Sequence, residues 1–169
     1  MIQLTKTKKI LLALCIILPF VIYCVYYYAI MIKNAPYKFT EFESFSYQFG
    51  PRQGMLNSYN SKTGEYQYVN DRDSVVKAKL ILSNDDLLYL HRKAASLGFW
   101  DFPKDETGDS VKTGRQPLRY IIEFKYQRKS KRIVFDQNYH ADPKLINANE
   151  QIIKEIELVM SQAEGRQKK

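Results

Sequence analysis

The sequence predicts an α+β fold: a transmembrane helix, then an antiparallel sheet of about four to six strands with two helices packed on one face. Three observations predict it. An uncharged apolar segment lies near the N-terminus, runs of alternating apolar and polar residues follow it, and two capped amphipathic segments occur among these runs. The order of strands, helix, strand pair and helix favours an antiparallel sheet.

The apolar segment, residues 10–32, is long enough to cross a bilayer as a helix. At about 1.5 Å per residue it would extend roughly 34 Å, which exceeds a hydrocarbon core of about 30 Å. Pro19 lies near its centre, where local adjustment in lipid can replace the lost hydrogen bond. A signal peptide that is cleaved has a shorter apolar core and a site of small residues, so we expect an uncleaved anchor. The tyrosines near its far end are typical of a membrane interface: Tyr23, Tyr26, Tyr27 and Tyr28.

The charges that flank this segment predict its orientation. Lys6, Lys8 and Lys9 precede it, whereas acids soon join the basic residues that follow it. The positive-inside bias therefore places the N-terminus in the cytoplasm and the remainder outside, as a single-pass protein of the cell membrane. The predicted organisation is a basic cytoplasmic flank (1–9), the anchor (10–32), a spacer (33–36), an extracytoplasmic α+β domain (37–165) and a basic tail (166–169).

Composition restricts the class of partner. The chain has 169 residues and a net charge of +8, but the first 34 residues hold four lysines and no acid. The remainder has 22 basic against 18 acidic residues, a small excess that makes nucleic acid an unexpected partner. Both cysteines, Cys15 and Cys24, lie in the apolar segment, so the domain can form no internal disulfide.

Alternating patterns predict the strands, and turn residues separate them. The loop at 104–117 has no pattern of its own, and a loop of that length is unusual. The predicted strands are 45–49, a hairpin of 55–59 and 65–69, a run at 75–82, and a second hairpin of 118–127 and 132–139 that turns at 128–131.

Capping residues predict the two helices of the domain. Ser83, with an acid three residues later, is typical of a helix N-cap, and Gly98 of a helix end. Asp142 followed by proline predicts the start of the last helix, which Gly165 would end.

Five cations occur within eight residues at the second hairpin: Lys125, Arg128, Lys129, Lys131 and Arg132. Two interpretations are retained. Charged side chains at a hairpin tip can be a solvated turn that protects an edge from aggregation. They can also bind an anionic surface, such as lipid headgroups or wall polymers.

An aromatic run follows the first helix of the domain. Phe99, Trp100 and Phe102 are expected to pack in the core because they end a helix, with stacking on a ligand as the alternative interpretation.

Neither of the two histidines is predicted to be a catalytic residue. His91 falls on the apolar stripe of the first helix, and His140 lies two residues before the Asp142 cap. Neither has the spacing of a zinc motif, and the sequence has no phosphate-binding loop or nucleophile motif. We therefore predict no catalytic residue, no metal site and no cofactor.

Acidic residues gather around the long loop: Asp101, Asp105, Glu106 and Asp109. They could hold calcium or supply two carboxylates for glycoside hydrolysis. Interleaved lysines and the absence of an EF-hand register favour a solvated loop.

These observations predict a membrane-anchored, non-enzymatic accessory or binding module of the cell envelope. Its expected partners are the membrane itself and an envelope protein, an anionic lipid or a wall polymer. The first alternative is a hydrolase of envelope polymers that uses the acids of residues 101–109. The second is a subunit of a membrane complex, recognised through its span.

Overall fold

The computed structural model describes residues 6–33, 37–52, 54–109 and 116–168. The chain forms two compact units, Met1–Pro36 and Tyr37–Lys169.

The described residues of the first unit form the helix α1 (Lys6–Lys33), and Pro19 lies inside it without ending it. Within the described residues, α1 is the one helix that is long and apolar enough to cross a membrane, judged by length and composition. The large apolar side chains described from Leu12 to Tyr28 are each at least 47% exposed. These apolar side chains are therefore not buried in a protein core.

In the described part of the second unit, seven strands form a mixed sheet in the order β4-β3-β2-β1-β6-β7-β5. Neighbouring strands run antiparallel, except that β5 runs parallel to β7. The strands are β1 (Phe42–Pro51), β2 (Asn57–Asn60), β3 (Glu65–Val69), β4 (Val75–Lys79), β5 (Asp105–Glu106), β6 (Leu118–Tyr126) and β7 (Ser130–Asp136).

Two helices and two 3₁₀ turns complete this unit: α2 (Asn84–Ser96), α3 (Pro143–Gln167), and turns at Phe39–Glu41 and Phe99–Asp101. The predicted helix starts are confirmed. The Ser83 hydroxyl accepts a hydrogen bond from the Asp86 N–H in a capping box, and the Asp142 carboxylate accepts one from the Lys144 N–H at 2.9 Å. Gly98 follows α2 at φ 76°, a left-handed conformation that glycine adopts without steric cost.

Both helices pack on the same face of the sheet, as predicted. The Tyr47 hydroxyl of β1 donates to Glu157 of α3 at 3.1 Å, and the Tyr126 hydroxyl of β6 lies 2.7 Å from Nδ1 of His91 in α2. Tyr47 is paired with Ile122, so Tyr126, four residues further along β6, projects to the same side. The core therefore lies between this face and the helices.

The structure differs from the prediction in three respects. The sheet has seven strands rather than four to six, and it is not wholly antiparallel, because the two-residue β5 forms inside the long loop and pairs parallel with β7. The expected helix end at Gly165 is wrong. Helix α3 continues to Gln167, since Arg166 bonds Asp86 at 2.5 Å and the Gln167 amide bonds the Ile81 carbonyl at 3.1 Å. Arg166 and Gln167 are thus held by the domain and do not form a free basic tail.

Candidate functional site

The hairpin between β6 and β7 lies beside the first residues of the domain. The Gln127 N–H donates to the Glu41 carbonyl at 2.9 Å, and the Tyr126 N–H closes the turn on the Lys129 carbonyl at 2.9 Å. We call this end of the domain the basic tip and define it by Lys38, Lys125, Arg128 and Lys129.

Each of the three hairpin cations of the basic tip has an intramolecular contact. Arg128 forms an ion pair with Glu41, and Lys125 lies 3.7 Å from Glu43. The Lys129 ammonium lies 4.0 Å from the centroid of the Tyr37 ring. The hydrogen bond from Arg128 holds the pKa of Glu41 below its usual range. Exposed pairs of this kind contribute about 0–1 kcal/mol, so the cations can exchange these partners for a ligand.

The other two predicted cations lie elsewhere. Lys131 is buried on the core face, where its ammonium donates to the Phe102 carbonyl. Burial lowers its pKa, against the attraction of Asp101 and Glu106. Arg132 is exposed on the opposite face, directly across from Glu123. The predicted set of five cations is therefore divided. The acids that pair with the basic tip are Glu41, just before β1, and Glu43, within it, and the sequence pattern did not reveal these pairs.

The aromatic run after α2 lies in the core. Phe99 is fully buried and Phe102 nearly so. Trp100 is partly buried, with its ring 4.4 Å from that of Tyr37 and 5.5 Å from that of His91. These rings already pack against other rings of the domain, which is the core packing that the sequence favoured.

The acids of the long loop do not share one environment. Asp101, Asp105 and Asp109 are exposed, whereas Glu106 is fully buried and accepts a hydrogen bond from the Asn149 amide. Burial raises the pKa of Glu106 to about 7, although the bond from Asn149 and the attraction of Lys131 oppose the shift. No group of three or more metal-ligating side chains occurs in the described parts of the chain.

The histidines are separated from these acids. His91 is buried against Tyr126, and burial lowers its pKa, so it is neutral at pH 7. His140 is exposed in the segment before α3. Neither is hydrogen-bonded to a carboxylate in the described structure, which a histidine base in a triad would require.

A second buried carboxylate, Asp136, lies at the end of β7 and was not predicted from the sequence. Asp136 is fully buried and accepts hydrogen bonds from the guanidinium groups of Arg119 and Arg52 and from the Gly108 N–H. Burial by itself would raise its pKa, but the bonds from Arg119 and Arg52 outweigh this and hold the pKa low. This cluster joins β6, β7 and the segment after β1, so it is structural.

Comparison of the chain with protein-family models, with curated proteins and with solved structures finds no match.

Proposed function

We propose that the chain is a single-span membrane protein of a cell envelope, in which α1 holds a non-enzymatic binding domain at the outer surface of the bilayer. The observation that carries this proposal is the composition of α1. A helix at the surface of a soluble protein has one apolar stripe and one polar face. Residues 10–32 carry no charge, and the large apolar side chains described from Leu12 to Tyr28 are exposed. Lipid is the environment that removes such a surface from water.

The charge asymmetry around α1 supports the orientation. Lys6, Lys8 and Lys9 precede the apolar segment, and the positive-inside bias keeps such residues in the cytoplasm. The domain then lies outside.

Binding is favoured over hydrolysis because of where the loop acids lie. A glycosidase needs two carboxyl groups facing one cleft at about 5–9.5 Å. Asp101, Asp105 and Asp109 face solvent, and Glu106 lies beneath α3 with Asn149. No observation within the described structure favours the hydrolase.

The basic tip is the surface that we assign to the membrane. Lys129 lies over the Tyr37 ring, so the tip is near the point where the domain begins. Four cations form the basic tip, and their exposed ion pairs with Glu41 and Glu43 are weak enough for an anionic surface to compete with them. Each of these cations contributes about 1 kcal/mol to the free energy of binding at an anionic surface.

Neutralising the tip should weaken binding to anionic membranes. We expect residues 37–169 to sediment with vesicles of phosphatidylserine and phosphatidylcholine at low salt, and less as salt screens the charges. Changing Lys125, Arg128 and Lys129 to Gln should weaken binding by about 3 kcal/mol, or about 100-fold. Lys131 is left unchanged because it is buried.

The matched control removes the same charge elsewhere. Lys77 and Lys79 are exposed on the edge strand β4, which three strands separate from β6, and the exposed Lys168 lies beside that strand. The change of these three lysines to Gln should leave vesicle binding nearly intact. A thermal transition in circular dichroism verifies that each variant is folded. Equal losses in the two triple variants would show that net charge, and not the basic tip, binds the vesicles.

A further inference from the structure

The strand β4 is an edge of the sheet. It pairs with β3 on one side, and no described residue pairs with its other side. The hydrogen bonds at its two ends show how its backbone is oriented. The Asn70 N–H donates to the Ser74 carbonyl at 3.0 Å, and the Leu80 N–H donates to the Gly64 carbonyl at 2.8 Å.

Bonded and non-bonded pairs alternate in an antiparallel ladder. Ser74 and Leu80 are bonded to Asn70 and Gly64, the residues that flank β3, so the residues of even number between them, Val76 and Ala78, are bonded to β3. Val75, Lys77 and Lys79 therefore direct their N–H and C=O groups away from the sheet. These three residues offer a free hydrogen-bonding edge about 13 Å long, taking about 3.3 Å per residue.

A groove adjoins this edge on the face that carries the helices. Its volume is about 210 Å³. The rings of Tyr66 and Tyr68 stack there with centroids 5.0 Å apart, and Ala78 lies directly across from Tyr66. Glu164 of α3 and Lys168, the residue that follows α3, form the opposite wall. A strand added to β4 would place every second side chain over this groove.

The other side chains of an added strand would lie beside lysines. Lys77 and Lys79 are exposed on the face away from the helices, where their cross-strand neighbours are Gln67 and Glu65. One acid thus faces two lysines on this face. Opposite charges directly across a ladder stabilise it, and like charges destabilise it. A second copy of β4 would bring lysines against lysines, whereas acidic residues at alternate positions would complement them.

We propose that the edge of β4 is a docking site for an extended segment of a partner protein that has acidic residues at alternate positions and apolar residues between them. The segment adds to the sheet as an eighth strand through main-chain hydrogen bonds. Its apolar side chains lie beside Val76 and Ala78, next to the groove that Tyr66 and Tyr68 line, and its acids lie beside Lys77 and Lys79. This site is separate from the basic tip and does not depend on the membrane.

The test uses the full chain in detergent micelles and two synthetic peptides. One is acetyl-Ser-Glu-Val-Glu-Val-Glu-Ser-amide, and the other has lysine in place of each glutamate. Amide hydrogen exchange is followed by NMR with peptide at about 1 mM, a concentration that reveals weak binding. The acidic peptide should slow exchange at Val75, Lys77 and Lys79 at least fivefold. It should leave Val76 and Ala78, which already bond β3, nearly unchanged.

Three variants separate the backbone from the charge. Lys77→Pro removes an outward N–H without breaking the ladder, as proline on an edge strand allows, and should abolish protection at Val75 and Lys79. Lys77→Ala keeps that N–H and should weaken binding only a few fold. The double variant Lys77→Glu, Lys79→Glu should lose the acidic peptide and bind the basic one, a result that does not depend on whether the proline variant folds.

Three outcomes would overturn the proposal. Unchanged exchange with both peptides would mean that β4 accepts no strand and that its lysines only protect the edge. Equal protection by both peptides would show that binding does not require acidic residues in the partner segment. Protection of Lys77 and Lys79 that rises with protein concentration in the absence of peptide would assign the edge to a second copy of the chain.

Discussion

Glu106→Gln is expected to stabilise the domain by about 3 kcal/mol at pH 8 and to change its stability little at pH 4.5. Glu106 is fully buried, and one of its carboxyl oxygens has no hydrogen-bond partner among the described residues. Asn149 donates a hydrogen bond to the other carboxyl oxygen of Glu106. The side-chain oxygen of Asn149 also has no hydrogen-bond partner among the described residues. A neutral side chain that donates a hydrogen bond is therefore better suited to this position than a carboxylate.

The direction of the pH dependence follows from the pKa of Glu106, which burial raises from 4.5 to about 7. Between these values the folded state keeps a proton that the unfolded state releases. The contribution of Glu106 to stability therefore decreases as pH rises from about 4.5 to 7 and is constant above that range. At about 1.4 kcal/mol per pKa unit, the loss is about 3 kcal/mol. Glutamine cannot ionise, so the variant avoids it.

Urea unfolding of residues 37–169 at pH 4.5 and pH 8 measures this difference. Glu150→Gln is the matched control, because Glu150 is exposed on α3, and it should not change the pH dependence. If Glu106→Gln were no more stable than wild type at pH 8, the carboxyl group would not carry the proposed cost of burial.

Asp136→Asn is expected to destabilise the domain by about 3–5 kcal/mol at pH 7. The carboxylate is fully buried and accepts hydrogen bonds from Arg119 at 2.7 Å and from Arg52 at 3.0 Å. Removing one partner of a buried ion pair leaves the remaining charges uncompensated, which costs about this amount. Asparagine has nearly the same shape, so the effect reports the charge rather than a cavity.

Asp136 gives a pH dependence of the opposite sign to that of Glu106. Its pKa lies below 3.8 in the folded protein, since the bonds from Arg119 and Arg52 outweigh burial. Its contribution to stability is complete above pH 3.8 and is lost as pH falls through the folded pKa. Asp71→Asn, at an exposed turn residue, is the control. A loss below 1 kcal/mol for Asp136→Asn at pH 7 would mean that the cluster is not a significant source of stability.

Features that depend on neighbouring residues were predictable from the sequence. The caps at Ser83 and Asp142 and the left-handed Gly98 involve contacts within a few residues, and each was confirmed. The helix end was predicted wrongly at Gly165, because contacts of Arg166 with residues distant in sequence extend α3.

The polar contacts of the domain could not be predicted, because they join distant parts of the chain. Asn149 and Glu106 are 43 residues apart, Arg52 and Asp136 are 84 apart, and Arg128 and Glu41 are 87 apart. No periodic pattern identifies such pairs. The same is true of β5, whose two residues are too few to show alternation.

The central claim, that α1 spans the membrane and places the domain outside the cytoplasm, is tested most directly by cysteine labelling in intact cells. The domain has no native cysteine, so a single Asp71→Cys substitution gives it a unique thiol at an exposed turn. The matched variant is Gln3→Cys, in the predicted cytoplasmic flank. A membrane-impermeant maleimide should label Asp71→Cys in intact cells or spheroplasts, and Gln3→Cys only after permeabilisation. Labelling of Gln3→Cys in intact cells, with Asp71→Cys protected until lysis, would contradict the proposed topology.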